Sequence, residues 1–151
     1  MSKKIRKAVR TYLIKENKVV VIKYKQHDEG FYDIPGGKIE ENEMPEDASI
    51  REFKEETGIT IIKQHYFGHI YIEYPDRVFD IEVFIVDDYF GNPLEFDENS
   101  SMWIDIDDLS IESNIFPSVK AIKYLKANMD LKIECDSNHN IIKFKDSINQ
   151  E

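Results

Sequence analysis

The sequence predicts an α+β protein with a central mixed β-sheet flanked by helices. Three observations support this class: β-forming residues dominate the first 25 positions, one clearly bounded helix follows, and two long hairpins come after it. Strands that precede a helix and then continue as antiparallel hairpins are typical of α+β architecture. The 151 residues contain no internal repeat and no Gly/Ser linker. We therefore expect a single domain spanning residues 1–151.

The first elements are two predicted strands, at residues 9–13 and 19–22. Valine, threonine, leucine and isoleucine dominate both segments, and Glu16-Asn17 between them is a suitable turn. A glycine-rich turn follows at Pro35-Gly36-Gly37. Glycine lets the chain turn sharply and brings backbone atoms close to a ligand. We therefore expect this turn to lie near any binding site.

The best-marked helix is predicted at residues 45–57. Pro45 suits the first helical position, and Gly58 stands where a helix commonly ends in a left-handed residue. Between these two signals, apolar residues provide a surface for packing: Ala48, Ile50 and Phe53. The segment is therefore expected to pack one face on the sheet and to expose the other.

The remaining chain predicts two hairpins with a helix between them. Residues 59–74 and 78–90 alternate apolar with polar side chains around a turn at Tyr74-Pro75-Asp76-Arg77. A loop then leads to a short strand near Trp103-Ile104. A second amphipathic helix is predicted to open at Pro117 and to carry a core-facing stripe: Val119, Ile122, Leu125 and Met129. The last predicted hairpin joins residues 131–135 to 141–145.

Composition and charge exclude several classes of partner. The formal charge is −10, which repels polyphosphate backbones, so we expect no nucleic-acid polymer and no anionic membrane as main partner. Apolar runs stay far shorter than the roughly 20 residues needed to cross a bilayer, and the N-terminus has no apolar signal region. The single Cys135 fits a reducing compartment. These features predict a cytoplasmic protein of unknown oligomeric state.

Half of the negative charge is concentrated in one segment, residues 37–59, whose formal charge is −5. At 100° per residue, Glu52, Glu55 and Glu56 share an arc of about 100° on the predicted helix. Like charges at such spacing cost roughly 0.2–0.5 kcal/mol per pair, which a neighbouring cation offsets. A solvated helix face would explain the acids alone. A hard divalent cation such as Mg²⁺ would also explain why they share one face.

The spacing of this segment decides between the two interpretations. It reads Gly37, five residues, Glu43, seven residues, then Arg51-Glu52-Phe53-Lys54-Glu55-Glu56-Thr57-Gly58-Ile59. This pattern resembles the signature of the Nudix hydrolase family, Gly-x5-Glu-x7-Arg-Glu-U-x-Glu-Glu-x-Gly-U with U apolar, and every fixed position is met. A match at nine fixed positions is far more specific than a lone glycine motif.

The resemblance implies an α/β/α sandwich and a hydrolase that cleaves a nucleoside diphosphate linked to another moiety, using Mg²⁺ with Mn²⁺ as a substitute. It also implies the metal ligands: the Gly37 carbonyl, Glu52, Glu55 and Glu56. Arg51 with Glu43 would form a brace that orients the glutamates. The general base differs among family members, and here Glu55 and Glu98 are the candidates. An exposed loop acid is the other interpretation of Glu98.

Beyond this signature, the Nudix box at residues 37–59, the chain loosely resembles the MutT-type 8-oxo-dGTP diphosphatases over most of residues 5–145. The segments that carry this resemblance are Gly36 to Ile39, Gly68 to Ile70, Asp80 to Val86, Asp97-Glu98 ahead of Trp103, and the C-terminal hairpin. The resemblance points to four substrate-binding candidates: Phe31, Tyr32, Asp33 and Lys38. Mammalian-type members have Asn where this chain has Asp33, and an acidic pair that is missing around Phe116-Pro117-Ser118. Because an ionised Asp accepts hydrogen bonds and does not donate them, the base specificity is open. Hydrophobic cover for the sheet edge is the alternative role for Phe31 and Tyr32.

The predicted reaction converts a nucleoside triphosphate, with an oxidised purine nucleotide such as 8-oxo-dGTP among the candidates, to a nucleoside monophosphate and pyrophosphate. A second enzymatic possibility is hydrolysis of ADP-ribose or a nucleotide sugar. A third is a Nudix module that senses a nucleotide without cleaving it. The complete box favours catalysis, because a pure sensor has no need of all the catalytic glutamates.

Overall fold

The computed structural model describes residues 3–24, 31–109 and 116–146. The helices in these ranges are α1 (Pro45–Thr57), α2 (Ile106–Leu109) and α3 (Pro117–Lys120), the last continued by a 3-10 turn at Ala121–Tyr124. The strands are β1 (Lys4–Tyr12), β2 (Ile14–Lys15), β3 (Lys18–Tyr24), β4 (Tyr32–Asp33), β5 (Gly36–Lys38), β6 (Thr60–Glu73), β7 (Arg77–Phe90), β8 (Asn99–Asp105), β9 (Met129–Cys135) and β10 (Ile141–Asp146).

These strands form two sheets. The larger has the order β10-β9-β6-β7-β1-β5 and is mixed, because β1 runs parallel to β7 and β6 runs parallel to β9. The smaller sheet is antiparallel and centres on β3, which pairs with β8 along one edge and with β2 and β4 along the other. The predicted α+β class with a mixed sheet and helices is confirmed, and the second sheet is an addition to it.

The core lies on both faces of the larger sheet. One face packs against β3 and α3 in a cluster that includes Tyr12, Val21, Ile81 and Val119. On the opposite face α1 covers β1 and β7, where Ala48 meets Val9 and Phe84. Burial of apolar side chains on each side of one sheet fixes the position of α1 relative to β5. That arrangement places the glycine turn beside the acidic helix.

Helix α1 has the predicted bounds. Pro45 occupies its first turn, and Gly58 adopts φ 82° and donates its N–H to the Lys54 carbonyl. The αL conformation at Gly58 ends the helix without the steric cost that a side chain would add. Helix α1 is 13 residues long, and no helix in the described part of the chain has the length and apolar character needed to cross a membrane.

The prediction of a long second helix through Met129 is wrong. The α-helical turn ends at Lys120, a 3-10 turn reaches Tyr124, and Leu125 is already extended at ψ 126°. Met129 begins strand β9 and pairs with Gly68 of β6. Val119 and Ile122 of the predicted stripe do lie in helical turns, but pairing of β9 with β6 places Met129 in the sheet and so overrides the helical spacing at that end.

The two strands predicted near the N-terminus are confirmed, but they do not pair with each other. Residues 4–12 pair with β5 and β7 of the larger sheet, whereas residues 18–24 belong to the smaller one. Glu16 and Asn17 do form the turn, with φ 50° and 63°, but it joins β3 to the two-residue strand β2. Both later hairpins are confirmed, as β6–β7 and β9–β10.

Candidate active site

The acidic face of α1 meets the glycine turn of β5. Gly37 pairs with Val9 of β1, and a Cβ added at Gly37 would lie 2.5–2.6 Å from the carboxylate atoms of Glu52. One position earlier, the Gly36 N–H donates to Glu56 Oε1 at 2.8 Å. Two carboxylates one helical turn apart, those of Glu52 and Glu56, therefore lie against consecutive glycines.

Glu56 is the most enclosed of the three acids. Besides the Gly36 N–H, its carboxylate accepts a hydrogen bond from the Tyr24 hydroxyl at 3.2 Å. Burial raises the pKa of Glu56 to about 8, against the lowering effects of the Gly36 hydrogen bond and of Arg10. A buried acid of this kind is most stable as an anion when a cation lies beside it.

Arg51 joins the acids of this region into one network. Its Nε and Nη2 donate to the two oxygens of Glu43 at 2.8 and 2.9 Å, and its Nη1 donates to Glu52 Oε1 at 2.9 Å. Nη2 also reaches the Lys38 carbonyl at 3.1 Å, and Glu55 Oε2 lies 3.4 Å from Nη1. The bidentate pair fixes the guanidinium plane, so the orientation of Glu52 follows from that of Arg51. These hydrogen bonds are the contacts that the predicted brace needs, and its role in orienting the glutamates stays a prediction.

Replacing Glu43 by Gln is expected to destabilise the fold in a pH-dependent way. The hydrogen bonds from Arg51 lower the pKa of Glu43 from 4.5 to about 2. The pKa of Glu43 is lower in the folded protein than in the unfolded one. Its ionised form therefore contributes fully to the free energy of unfolding above pH 4.5, and this contribution is lost as the pH falls through 2. Urea unfolding should therefore show a lower free energy of unfolding for Glu43→Gln at pH 7 and a shrinking difference towards pH 3. Glu41→Gln, on an exposed neighbour, is the control, and a pH-independent difference would contradict the assignment.

The side chains at the glycine turn are of the type that binds a hard divalent cation, although they are not arranged as a complete coordination site. In residues 3–24, 31–109 and 116–146, no group of three or more His, Cys, Asp or Glu side chains is arranged as a metal site. Glu52 and Glu56 nevertheless lie against adjacent glycines, and burial raises the pKa of both carboxyls. Carboxylate oxygens are the ligands that Mg²⁺ and Mn²⁺ prefer, and a bound cation would stabilise the ionised form of both acids.

Glu98 lies beside the acidic helix. Together with Glu55, Glu56, Tyr24 and Asn99 it lines an open cavity of about 260 Å³. The Asn99 side chain donates to the Glu56 carbonyl at 2.9 Å and so ties the loop of Glu98 to the end of α1. The two candidates for the general base, Glu55 and Glu98, therefore line one cavity.

The substrate-binding candidates divide between two places. Asp33 is buried and lines a cavity of about 100 Å³ with Phe116, Ser118 and His139. Phe31 packs at the same end of the molecule, because its ring centroid lies 5.2 Å from that of Phe116 and 5.8 Å from that of His139.

The other two candidates lie elsewhere. Tyr32 packs on the main hydrophobic core, which agrees with the covering role considered for it. The exposed Lys38 lines an adjoining cleft of about 500 Å³. Asp33 alone of the four candidates lines the 100 Å³ cavity, and Phe31 packs against two residues of its wall, Phe116 and His139.

Sequence reasoning missed three residues that contact this site: Arg10, Tyr24 and Ser118. Arg10 forms an ion pair with Asp33 at 3.6 Å, and Ser118 donates its hydroxyl to Asp33 Oδ1. An arginine inside the apolar run of β1 was the available signal for Arg10, since a charge there needs a partner. Tyr24 and Ser118 carried no comparable signal, because only the fold brings them to the acids.

A comparison with protein-family models decides the family. The model of the NUDIX domain matches residues 4–125, which includes both sheets' central strands, α1 and the glycine turn. The chain belongs to the Nudix family. The resemblance inferred from the box is thereby confirmed over most of the sequence.

Two curated relatives of this Nudix chain are named for oxidised purine nucleotides. It is 39% identical over 74 residues to the oxidized purine nucleoside triphosphate hydrolase of Danio rerio, covering 48% of this chain and 47% of that one. It is 35% identical over 89 residues to the 8-oxo-dGTP diphosphatase of Proteus vulgaris, covering 58% and 80%. The chain thus spans about half the length of the Danio rerio relative and four fifths of the Proteus vulgaris one.

Among solved structures, the MutT protein of Bacillus halodurans has the same fold as this Nudix chain. The two superpose with a TM-score of 0.79, covering 96% of this chain and 99% of the other, at 16% sequence identity. At such low identity the likeness concerns the fold alone. It agrees with the mixed sheet and helices described above.

Proposed function

We propose that this Nudix chain is a divalent-metal-dependent pyrophosphohydrolase that converts a nucleoside triphosphate to a nucleoside monophosphate and pyrophosphate. The observation that carries the proposal is the convergence of Glu52 and Glu56 on the Gly36-Gly37 turn. Arg10 packs against Gly36 of the same turn and lines the cavity of Asp33. The proposed metal-binding acids and the proposed cavity for the base would therefore adjoin one turn.

The proposed cofactor is Mg²⁺, which Mn²⁺ would replace, and the residues proposed to hold it are the Gly37 carbonyl, Glu52, Glu55 and Glu56. When bound, the metal would acidify a water molecule and neutralise phosphate charge. Arg51 and Glu43 hold the carboxylate of Glu52 in place through their hydrogen bonds. Nudix hydrolases in general use a divalent metal, which supports this choice.

Proton transfer is proposed to involve one of the acids at the 260 Å³ cavity. Attack of water on phosphorus needs a base within hydrogen-bond reach of that water. Glu55 and Glu98 both line this cavity, and Glu55 is exposed enough to turn away from its 3.4 Å contact with Arg51. We assign the base to this pair.

The proposed substrate is an oxidised purine nucleotide such as 8-oxo-dGTP. Relatives at 35% and 39% identity are named for oxidised purine substrates, which supports the class. The cavity of Asp33 supplies a carboxylate together with the aromatic rings of Phe79, Phe116 and His139, and such rings bind the face of a base. We propose that the base enters this cavity, with Phe31 beside it, while the phosphates lie at the acidic helix.

A second candidate function is hydrolysis of a nucleotide linked to a further moiety, such as ADP-ribose or a nucleotide sugar. The observation in its favour is the 500 Å³ cleft next to the site, where Gly37, Lys38 and Phe79 form part of the wall. The size of that cleft is typical of small-ligand sites. The complete set of box acids argues against a module that only senses nucleotides.

The proposed partners are small nucleotides and not nucleic-acid polymers or membranes, in keeping with the formal charge of −10. We propose a cytoplasmic location on the basis of the cysteine content. The chain has one cysteine, Cys135, which is buried in β9. Burial raises the pKa of its thiol to about 11, so it is expected to stay unreactive.

The test is a hydrolysis assay over a panel of 8-oxo-dGTP, dGTP, ADP-ribose and a nucleotide sugar, with Mg²⁺ and with excess EDTA. We expect kcat/KM to be highest for 8-oxo-dGTP and the reaction to stop in EDTA. A higher kcat/KM for ADP-ribose or the nucleotide sugar would favour the second candidate. Cleavage that continues undiminished in EDTA would contradict the role of the metal.

A further inference from the structure

Arg10 is a buried cation whose hydrogen-bonding capacity is only partly used. Its side chain is 16% exposed, and its Nη1 donates to the Val9 carbonyl at 2.9 Å. Its Nε is buried and has no hydrogen-bond partner among the described residues. Buried donors without partners are rare in folded proteins, and each such group calls for an explanation. A ligand that enters the neighbouring cavity would explain this one.

Asp33 leaves a matching acceptor in the same cavity. Its Oδ1 accepts hydrogen bonds from the Ile34 N–H at 2.7 Å and from the Ser118 hydroxyl. Its Oδ2 lies 3.6 Å from Arg10 Nη2, which is longer than an ordinary hydrogen bond. The wall therefore presents a guanidinium that only donates beside a carboxylate oxygen that, when ionised, only accepts.

A donor beside an acceptor is complementary to a ligand edge with an acceptor beside a donor. The Hoogsteen edge of guanine does not have this pattern, because its N7 and O6 both accept. In 8-oxoguanine N7 carries a hydrogen and donates, while O6 and O8 accept. Asp33 would attract the N7–H of the oxidised base and would repel the N7 lone pair of the normal one.

Arg10 lies between the cavity of Asp33 and the acidic face of α1, where its charge also favours the ionised form of Glu56. A Cβ on Gly36 would lie 2.8 Å from Arg10 Nη1, so the guanidinium packs against the glycine whose N–H binds Glu56. Arg10 and Phe79 line both the small cavity and the 500 Å³ cleft. The two spaces are therefore adjacent, and Arg10 lies at their junction.

We propose that Arg10 is a specificity-determining residue that, paired with Asp33, selects 8-oxoguanine over guanine by binding its Hoogsteen edge. In this arrangement Asp33 Oδ2 accepts from N7–H, and the guanidinium donates to the adjacent carbonyl oxygen of the base. The inference rests on the proposed function, because it places the base in the cavity of Asp33. It adds Arg10, which lies outside the Nudix box, and it gives a physical reason for discrimination between 8-oxoguanine and guanine.

The test measures binding of 8-oxo-dGMP and dGMP by titration calorimetry, which needs no turnover. Wild-type protein is expected to bind 8-oxo-dGMP more tightly, and Arg10→Met is expected to weaken that binding about 10- to 100-fold, the size of effect expected when one bidentate contact to a base is lost. Binding of dGMP should change less, so the ratio of the two affinities falls. Lys15→Met, which removes an exposed charge on β2, is the control and should leave the ratio unchanged.

A second variant separates recognition from folding. Arg10→Met leaves Asp33 without its counterion, whereas the double variant Arg10→Met/Asp33→Asn removes both charges and restores a neutral pair. The double variant should unfold at a temperature closer to that of the wild type and should still lack the preference for 8-oxo-dGMP. Equal weakening for both nucleotides, or a preference that survives in the folded double variant, would overturn the proposal. Loss of hydrolysis with intact selective binding would instead contradict only the proposed catalytic function.

Discussion

Replacing Glu56 by Gln is expected to lower kcat at least about 100-fold, because the proposed metal ligand loses its charge. The fold should survive, since the amide oxygen of Gln can still accept the Gly36 N–H. Burial raises the pKa of Glu56 to about 8, which means that the folded protein disfavours the charged form. A neutral isostere avoids that cost, so the free energy of unfolding should stay the same or rise.

Steady-state kinetics with 8-oxo-dGTP and urea unfolding measure the two effects on the same sample. Glu46→Gln is the matched control, because Glu46 lies on the exposed surface of the same helix. That variant should keep wild-type kcat. A Glu56→Gln enzyme within about threefold of wild type would contradict the catalytic assignment of the acidic face.

The second large effect is expected from alanine substitutions at the neighbouring Gly36 and Gly37, of which the first should lower stability and the second should lower activity. A Cβ at Gly36 would lie 2.0 Å from the Val9 carbonyl oxygen, so Gly36→Ala must displace the backbone of β1. A Cβ at Gly37 would instead overlap the carboxylate of Glu52 at 2.5–2.6 Å, which is the end of a flexible side chain. Alanine at Gly37 therefore displaces a proposed metal ligand and leaves the sheet intact.

Gly36→Ala is expected to lower the free energy of unfolding by about 2 kcal/mol or more, as overpacking against a rigid neighbour does. Gly37→Ala should leave stability within about 1 kcal/mol of wild type but reduce kcat about 10- to 100-fold, the range seen when metal ligands are misplaced. Urea unfolding and initial rates on both variants check this. The reverse order, with Gly37→Ala unfolded or fully active, would show that the contact between Gly37 and Glu52 has another role.

Local signals in the sequence predicted α1 to the residue. Pro45 and Gly58 act within one turn of each helix end, so their effect does not depend on distant parts of the chain. The brace between Arg51 and Glu43 was predictable for the same reason, as part of a motif with fixed spacing. These features needed no knowledge of the sheet.

Features that depend on long-range pairing were not predictable. The apolar spacing from Val119 to Met129 is typical of a helix, but Met129 lies in β9, which pairs with β6. Arg10 and Ser118 are 108 positions apart and meet at Asp33 only because α3 packs on the face of the larger sheet to which the Arg10 side chain of β1 points. A single sequence gives no signal for such contacts.

The central claim is tested most directly by identifying the products of 8-oxo-dGTP hydrolysis with Mg²⁺ present. Chromatography of the nucleotide together with a coupled assay for pyrophosphate distinguishes the two possible cleavage positions. We expect 8-oxo-dGMP and pyrophosphate in equal amounts, formed at least about 100-fold more slowly by the Glu56→Gln variant. Orthophosphate and 8-oxo-dGDP as products, or an unchanged yield from Glu56→Gln, would contradict the account.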